Sequence, residues 1–264
     1  MKKNDYILSR YRANQSIRVE RFKTLDSTNT YTMAQGRQGA SEGLVVVAEH
    51  QTAGRGRYGR SFYSPPSSGL YMSLLLRPQG TTAVSLRITT AMAVAACEAI
   101  EEVFGQKPGI KWVNDLILNE RKIAGILTEG ALLPDGTGVA YAVVGIGINV
   151  IPPRDGFPTE LDSIAGTLAL RADKKMKEQL AAAILSRFFS YYPLLSEEQL
   201  YSSYRERLFV IGKEVMVVHS GQERKATVLD LGKDYRLLLR FTDGKTEWLG
   251  SDEIRLLAES GRIS

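Results

Sequence analysis

The chain switches repeatedly between a two-residue and a 3.6-residue hydrophobic period. Residues 17–22 (IRVERF) alternate apolar and polar, as a half-buried strand does. Asp26-Ser27-Thr28-Asn29 follows, a run of good N-cap residues that predicts a helix over about 29–36. Residues 44–48 (LVVVA) are a β-branched run that reads as a buried strand. The stretch 52–68, rich in Gly, Arg, Ser and Pro, reads as loop, and 69–76 (GLYMSLLL) as a further strand. Residues 83–104 form an Ala-rich apolar pattern of helical period, closed by Gly105 and Pro108. The segments 110–118 and 122–129 read as a strand pair about the turn Asn119-Glu120-Arg121, and 139–150 as another strand carrying glycines at 145 and 147. A Pro-containing loop (151–158) precedes two amphipathic helices at 176–192 and 196–208; Leu180, Ile184, Leu185 and Phe188 mark the apolar face of the first.

Beyond about 210 the pattern changes to short strands separated by tight turns at Ser220-Gly221, Gly232-Lys233-Asp234 and Asp243-Gly244. Such spacing predicts a small antiparallel barrel. A domain boundary is expected near 209–212, dividing the chain into 1–209 and 210–264.

Composition narrows the chemistry. With 264 residues, 44% hydrophobic and 24% charged, the chain has the balance of a soluble globular protein and enough length for a large core. One cysteine, Cys97, excludes an intrachain disulfide and a Cys-based zinc site. Two distant histidines, His50 and His219, argue against a His-rich metal centre, and Ser–His or Cys–His nucleophilic catalysis is disfavoured. Met1-Lys2-Lys3-Asn4-Asp5 lacks a following apolar region, so no signal peptide is expected. No run approaches the roughly 18 apolar residues of a membrane helix. The expected setting is cytoplasmic, away from membranes. The net charge of +5 suits an anionic ligand or an acidic partner, and the basic residues concentrate at 55–60.

There, Gly54-Arg55-Gly56-Arg57-Tyr58-Gly59-Arg60 follows a predicted buried strand. Arginine supplies planar, paired donors for carboxylate or phosphate, and glycine lets backbone N–H groups approach an anion. The segment reads as a flexible anion-binding loop that orders around a phosphate or acyl-phosphate; a solvated surface loop and a nucleic-acid contact are the alternatives. It is not a Walker A loop, because no Gly-Lys-Ser/Thr follows at the required spacing. Lys111-Trp112-Val113-Asn114-Asp115, with Lys122 beyond the turn, supplies point charges for a transition-state oxygen and an Asn-Asp pair suited to hydrated magnesium or ribose. An ordinary charged turn is the competing reading. Ser27-Thr28-Asn29 and Gln51 are either a helix cap and its neighbour or a hydrogen-bonding set for a polar head group. Gly145-Ile146-Gly147-Ile148-Asn149 lacks the dinucleotide fingerprint and reads as a strand permitting close approach of ligand or backbone.

Taken in order, Ser27-Thr28-Asn29, Gln51 with Gly54–Arg60, Lys111–Asp115, Lys122-Ile123-Ala124-Gly125-Ile126-Leu127 and Gly145–Asn149 closely resemble the biotin–protein ligase, or biotin–[acetyl-CoA-carboxylase] ligase, family over about residues 20–150. The resemblance implies an α+β fold: a mixed central sheet flanked by helices, of class II synthetase-like type, with a C-terminal SH3-like barrel. It implies that biotin's carboxylate attacks the α-phosphate of ATP, with Mg2+, giving biotinyl-5′-AMP, and that biotin then passes to a lysine of a biotin carboxyl carrier protein domain. By the same resemblance, Ser27, Thr28, Asn29 and Gln51 meet the biotin head group. Arg55, Gly56 and Arg57 lie against carboxylate and phosphate, and Lys122 contacts the biotin carboxylate region and acyl-phosphate. The ATP side comprises Arg55, Arg57, Arg60, Phe62, Lys111, Asn114, Asp115 and Asn149, with Phe62 against adenine. Lys122, Arg57 and Lys111 are the expected catalytic residues, and Asn114 or Asp115 the candidates for a water-mediated metal contact.

Two departures stand out: Val113 replaces the family's usual proline, and Phe62-Tyr63-Ser64-Pro65 replaces Trp-Phe-Ser-Pro. Some relatives carry an N-terminal DNA-binding domain; only about twenty residues precede the first strand here, so no DNA-binding function is expected. Homodimerisation through a sheet edge is a further implication. Deleting the residues after 210 is expected to spare much of the adenylation site. The alternatives are a lipoate- or octanoate-activating relative on the same fold and a nucleic-acid-binding module.

Overall fold

The computed structural model describes residues 17–256 apart from Ser196 and Ser220. The N-terminal segment weighed above as a leader, the first residue of the predicted 196–208 helix, Ser220 of its turn and the end of the predicted 210–264 domain, from 257 on, lie outside the described residues.

Seven strands form one mixed sheet. In chain order they are β1 (Arg18–Leu25), β2 (Leu44–Gln51), β3 (Gly69–Leu76), β4 (Gly109–Lys111), β5 (Asp115–Leu118), β6 (Arg121–Leu132) and β7 (Val139–Asn149), and across the sheet they run β1-β2-β3-β7-β6-β5-β4. Only β1 and β2 are parallel, and the helix α1 (Thr28–Arg37) makes the crossover between them. Ser27 caps α1, accepting a hydrogen bond from the Thr30 N–H, as its residue type predicts.

All eight residues of β3 are buried, because helices cover both faces of the sheet. One face carries Val45, Met72, Leu74, Val144 and Ile146 into the main core. There α2 (Val84–Phe104) packs against α4 (Lys174–Tyr191) and β6. Its Ala91, Ala93, Ala95, Ala96 and Ala99 are fully buried, and such small side chains let the helix lie close to its neighbours. Gly105 ends α2 in the left-handed conformation, φ 65°, as a C-terminal glycine does. The opposite face carries Leu44, Val46, Leu75, Tyr141 and Val143, which pack against residues of β1 and α1.

The C-terminal strands β8 (Glu214–His219), β9 (Gln222–Leu231), β10 (Leu237–Phe241), β11 (Thr246–Leu249) and β12 (Ile254–Leu256) form a second, wholly antiparallel sheet in the order β11-β10-β9-β8-β12. The short α3 (Thr159–Asp162) falls in a stretch that the hydrophobic pattern leaves unassigned, and α5 (Glu198–Arg207) leads into the second sheet. No helix among the described residues is long and apolar enough to cross a membrane.

The predicted strand 110–118 is interrupted. Trp112, Val113 and Asn114 leave the ladder between β4 and β5. Tertiary bonds account for the break: the Trp112 indole N–H donates to the Tyr235 carbonyl (3.0 Å), and the Tyr204 hydroxyl donates to the Val113 carbonyl (3.0 Å). Both are buried, and Tyr204 and Tyr235 meet edge to face. The turn is thus held by α5 and by the second sheet. Tyr204→Phe keeps the ring and removes its hydroxyl, leaving a buried carbonyl unsatisfied; it should cost about 1–3 kcal/mol, read as a lower urea midpoint at unchanged slope.

Candidate active site

The site lies on the α1 face of the central sheet, where its side chains disappear. Gly125 on β6 stands opposite Gly147 on β7, and Gly145 stands opposite Ser73 of β3 and Leu127 of β6. A two-residue period puts all of these on one face. The result is a trough floored by backbone. Other side chains fill the missing space: a Cβ at Gly145 would lie 1.9 Å from Asn29 Oδ1, and one at Gly147 would lie 2.4 Å from the Phe62 ring. The close approach expected of the 145–149 glycines is therefore made by Asn29 and Phe62.

Two hollows open from this trough. The smaller, about 20 Å3, is lined by Ser27, Thr28, Asn29 and Gln51 together with Gly145 and Gly147. These polar groups are engaged with one another. Gln51 Oε1 accepts from the Thr28 N–H (2.8 Å) and hydroxyl (3.1 Å), while its Nε2 donates to Ser64 Oγ (2.9 Å). Ser73 Oγ lies 2.7 Å from both Thr28 Oγ1 and Asn29 Oδ1. The larger hollow, about 390 Å3, takes in Arg55, Gly56, Arg57, Arg60, Phe62, Lys111, Asn114, Asp115, Lys122 and Asn149. Arg55, Phe62, Gly125 and Leu127 line both hollows and mark the seam between them. All of the residues anticipated from the motifs thus line one or other of two adjoining spaces.

The glycine–arginine loop is tied down at its base and at its tip. Its base is closed by backbone bonds: Phe62 N–H to Gly54 O (2.9 Å), Gly56 N–H to Arg60 O (2.8 Å) and a bridge between Arg55 and Ser61. At its tip Tyr58 and Gly59 take positive φ, 58° and 73°. The tip rests on the second sheet's side of the site, because the Arg57 guanidinium (2.9 Å) and the Tyr58 hydroxyl both donate to the Ser251 carbonyl. Ile254 and Leu256 of β12 complete that wall. Removing the residues after 210 would take away this wall and the partner of Trp112, so the expectation that truncation spares the site finds no support in these contacts.

Five basic side chains and one carboxylate, Asp115, line the large hollow. Asp115 Oδ1 lies 2.8 Å from Lys122 Nζ, a charge contact without hydrogen-bond alignment. Lys111 is 6% exposed. Burial pushes its pKa below the ordinary lysine value; Asp115 opposes the shift, while Lys122 and Arg60 add to it. A polyanion entering here would relieve that repulsion. Asn114 has a structural task as well: its Nδ2 donates to the Ile126 carbonyl (2.8 Å), fixing the turn to β6. Among the described residues no group of three His, Cys, Asp or Glu side chains gathers for a metal. With a single carboxylate in the hollow, a magnesium ion arriving with a polyphosphate would be held largely by water and phosphate oxygens, and the residues fit that mode.

Two site residues escape the motifs. Ser73 is the one polar residue in the otherwise apolar, fully buried β3, and that oddity is its signal. Glu129 closes the KIAGILTE segment and joins Asn29 to Arg55. Cys97 takes no part: it is buried in α2, and burial pushes its thiol pKa far up.

Residues 21–149 match the model of the biotin/lipoate A/B protein ligase family. The bifunctional ligase/repressor BirA of Bacillus subtilis is 40% identical over 152 residues, covering 58% of this chain and 46% of that one. The biotin–[acetyl-CoA-carboxylase] ligase of Mycobacterium tuberculosis is 28% identical over 220 residues, covering 81% of this chain and 79% of its own. The matched region thus spans about half the length of the BirA relative. The biotin protein ligase from Aquifex aeolicus, solved in complex with biotin and ATP, superposes with a TM-score of 0.73 over 91% of this chain and 99% of that one at 24% identity, a likeness of fold.

The geometry makes two predictions about stability. Gly145→Ala drives a Cβ into Asn29 and should cost about 1–3 kcal/mol, visible in the melting temperature. For Lys111 the sign follows from its lowered pKa. Between that value and the ordinary lysine value near 10.4, the native chain holds fewer protons than the unfolded one, so stability rises with pH. Below the lowered value the full cost of burying the charge is present. Lys111→Met should raise stability at neutral pH by roughly 0.5–2 kcal/mol and abolish this alkaline rise, as melting curves across that range would report.

Proposed function

From the match of residues 21–149 to the biotin/lipoate A/B protein ligase family and the likeness to biotin–protein ligases along the chain, we infer that it is a biotin–protein ligase. It activates biotin with ATP and transfers the biotinyl group to a lysine of a biotin carboxyl carrier domain. One observation carries this reading: a small hollow with a polar end meets a large, cation-lined hollow at the Arg55–Gly125 seam. The polar lining of the first suits a ring bearing amide-like groups once Phe62 gives up its place over the glycine floor, the second suits a nucleoside polyphosphate, and their reacting ends meet at the seam.

The chemistry follows from that arrangement. A carboxylate oxygen of biotin bonds to the α-phosphorus of ATP, the bond from that phosphorus to the bridging oxygen breaks, and pyrophosphate leaves. Two anions approach one another, so fixed positive charge has to offset their repulsion and stabilise the transition state. Lys122, Lys111, Arg57, Arg55 and Arg60 supply it. Asp115 lies 2.8 Å from the Lys122 ammonium and holds it at the wall of the hollow. In the second step the neutral amine of the carrier lysine attacks the acyl carbon, the acyl–oxygen bond breaks and AMP departs. No side chain becomes acylated. The mixed anhydride survives only if water is kept away, a task that falls to Tyr58, Phe62, Phe157, Ile254 and Leu256 around the hollow. Magnesium bound with ATP would neutralise phosphate charge, with Asp115 and Asn114 the nearest candidates to hold its water shell.

A lipoate- or octanoate-activating relative is the less favoured reading. Thr28, Asn29 and Gln51, bonded to one another and to Ser64, Ser73 and Glu129, can exchange those bonds for bonds to a polar ring, whereas the aliphatic end of octanoate offers them nothing in exchange. The finer parts of the proposal are a cytoplasmic location, residues 210–264 as a separate domain, and the C-terminal five-stranded sheet as the SH3-like barrel of the family. Self-association through a sheet edge would fall to β1, because Leu208 bridges to Ile110 on β4.

ATP–pyrophosphate exchange with biotin, lipoate and octanoate supplied separately tests the reading. Exchange with biotin alone is expected, and exchange with either of the others instead would overturn the substrate. Arg57→Ala removes an anion contact and the loop's hold on Ser251; it should speed dissociation of biotinyl-AMP by about 10-fold or more, the loss of one charge-assisted bond. An unchanged off-rate would remove Arg57 from the adenylate site.

A further inference from the structure

Asn29 is the hub of a hydrogen-bond relay that runs from the small hollow to the glycine–arginine loop. Its Oδ1 accepts from Ser73, and its Nδ2 donates to the Leu127 carbonyl (3.2 Å) and to one oxygen of Glu129 (3.0 Å). The other Glu129 oxygen lies 2.8 Å from the Arg55 guanidinium. One carboxylate therefore bridges a residue at the head-group end and an arginine at the seam. The Glu129 side chain is 22% exposed and that of Arg55 48%, so the arginine end of the bridge is the one open to solvent and to ligand.

We propose that Glu129 is a specificity-determining residue of the adenylation step. It holds Arg55 for as long as Asn29 holds it. A ligand whose ring takes over the Asn29 amide weakens the anchor of Glu129 and frees Arg55 for the ligand's own anionic end. An acid without the ring only exchanges one carboxylate for another on Arg55, with no net gain. The two ends of the substrate are thus read jointly, and the coupling is reciprocal. This inference rests on the reading of the chain as a biotin–protein ligase. A role confined to completing the bonds of Asn29 would affect all acids alike.

The test is ATP–pyrophosphate exchange by the full chain with biotin and with pentanoate, which has biotin's acyl tail and carboxylate but no ring. Glu129→Gln keeps an oxygen for Asn29 and removes the charge that holds Arg55. The ratio of kcat/KM for biotin to that for pentanoate should fall at least about fivefold. Because it is a ratio, it does not depend on how much of the variant folds. Glu129→Asp keeps the charge but is one methylene too short to span both partners, and should lose discrimination likewise. An unchanged ratio, in variants of a wild type that exchanges with biotin, overturns the role of Glu129 and leaves the ligase reading standing. A wild type that exchanges with neither acid overturns the ligase reading, and this inference with it.

Discussion

The missing side chains at 125, 145 and 147 are the constraint on which the site depends. Elsewhere the central sheet is covered on both faces by residues that fill space. Here the ladder between β6 and β7 sets Gly125 against Gly147, and the bare backbone becomes a floor. Asn29 then drops its amide to within bonding distance of Ser73 and Glu129, and the Phe62 ring occupies the space over Gly125 and Gly147. A methyl group at either β7 glycine would push one of these away. Strand register fixes where Ser73, Leu127 and Glu129 stand relative to the floor, and α1 brings Thr28 and Asn29 to them.

The second constraint is charge. The large hollow concentrates like charges around Lys111, which burial already disfavours in its ionised form. Such a cluster persists because the fold is fixed by the core on the other face of the sheet, and by bonds reaching the Trp112–Asn114 turn from Tyr204, Tyr235 and Ile126. An anionic ligand entering the hollow would relieve the repulsion within that cluster.

Much of this was legible in the residues themselves. The apolar run over 69–76 coincides with β3, and the helical period over 83–104 matches α2 to within a residue. The site residues anticipated from the motifs, from Ser27 to Asn149, line the two hollows. Less legible were features set by distant partners. The strand over 110–118 breaks because Tyr204 and Tyr235, far along the chain, bind its backbone and its indole. Glu129 sits in an ordinary strand pattern, and its importance appears only once β6 is laid beside α1 and the loop. The short α3 lacks the length to show a period at all.

Phe62 carries a consequence for the thermodynamics of occupation. Its ring is the present cover of the Gly125–Gly147 floor, and the hollow beyond it holds only about 20 Å3, room for about one water molecule. Any ring-bearing ligand has to take the place of this aromatic surface rather than fill a waiting void. Apolar area is then exchanged between side chain and ligand more than newly withdrawn from water. The heat-capacity change on binding should be correspondingly smaller than the ligand's own apolar surface implies.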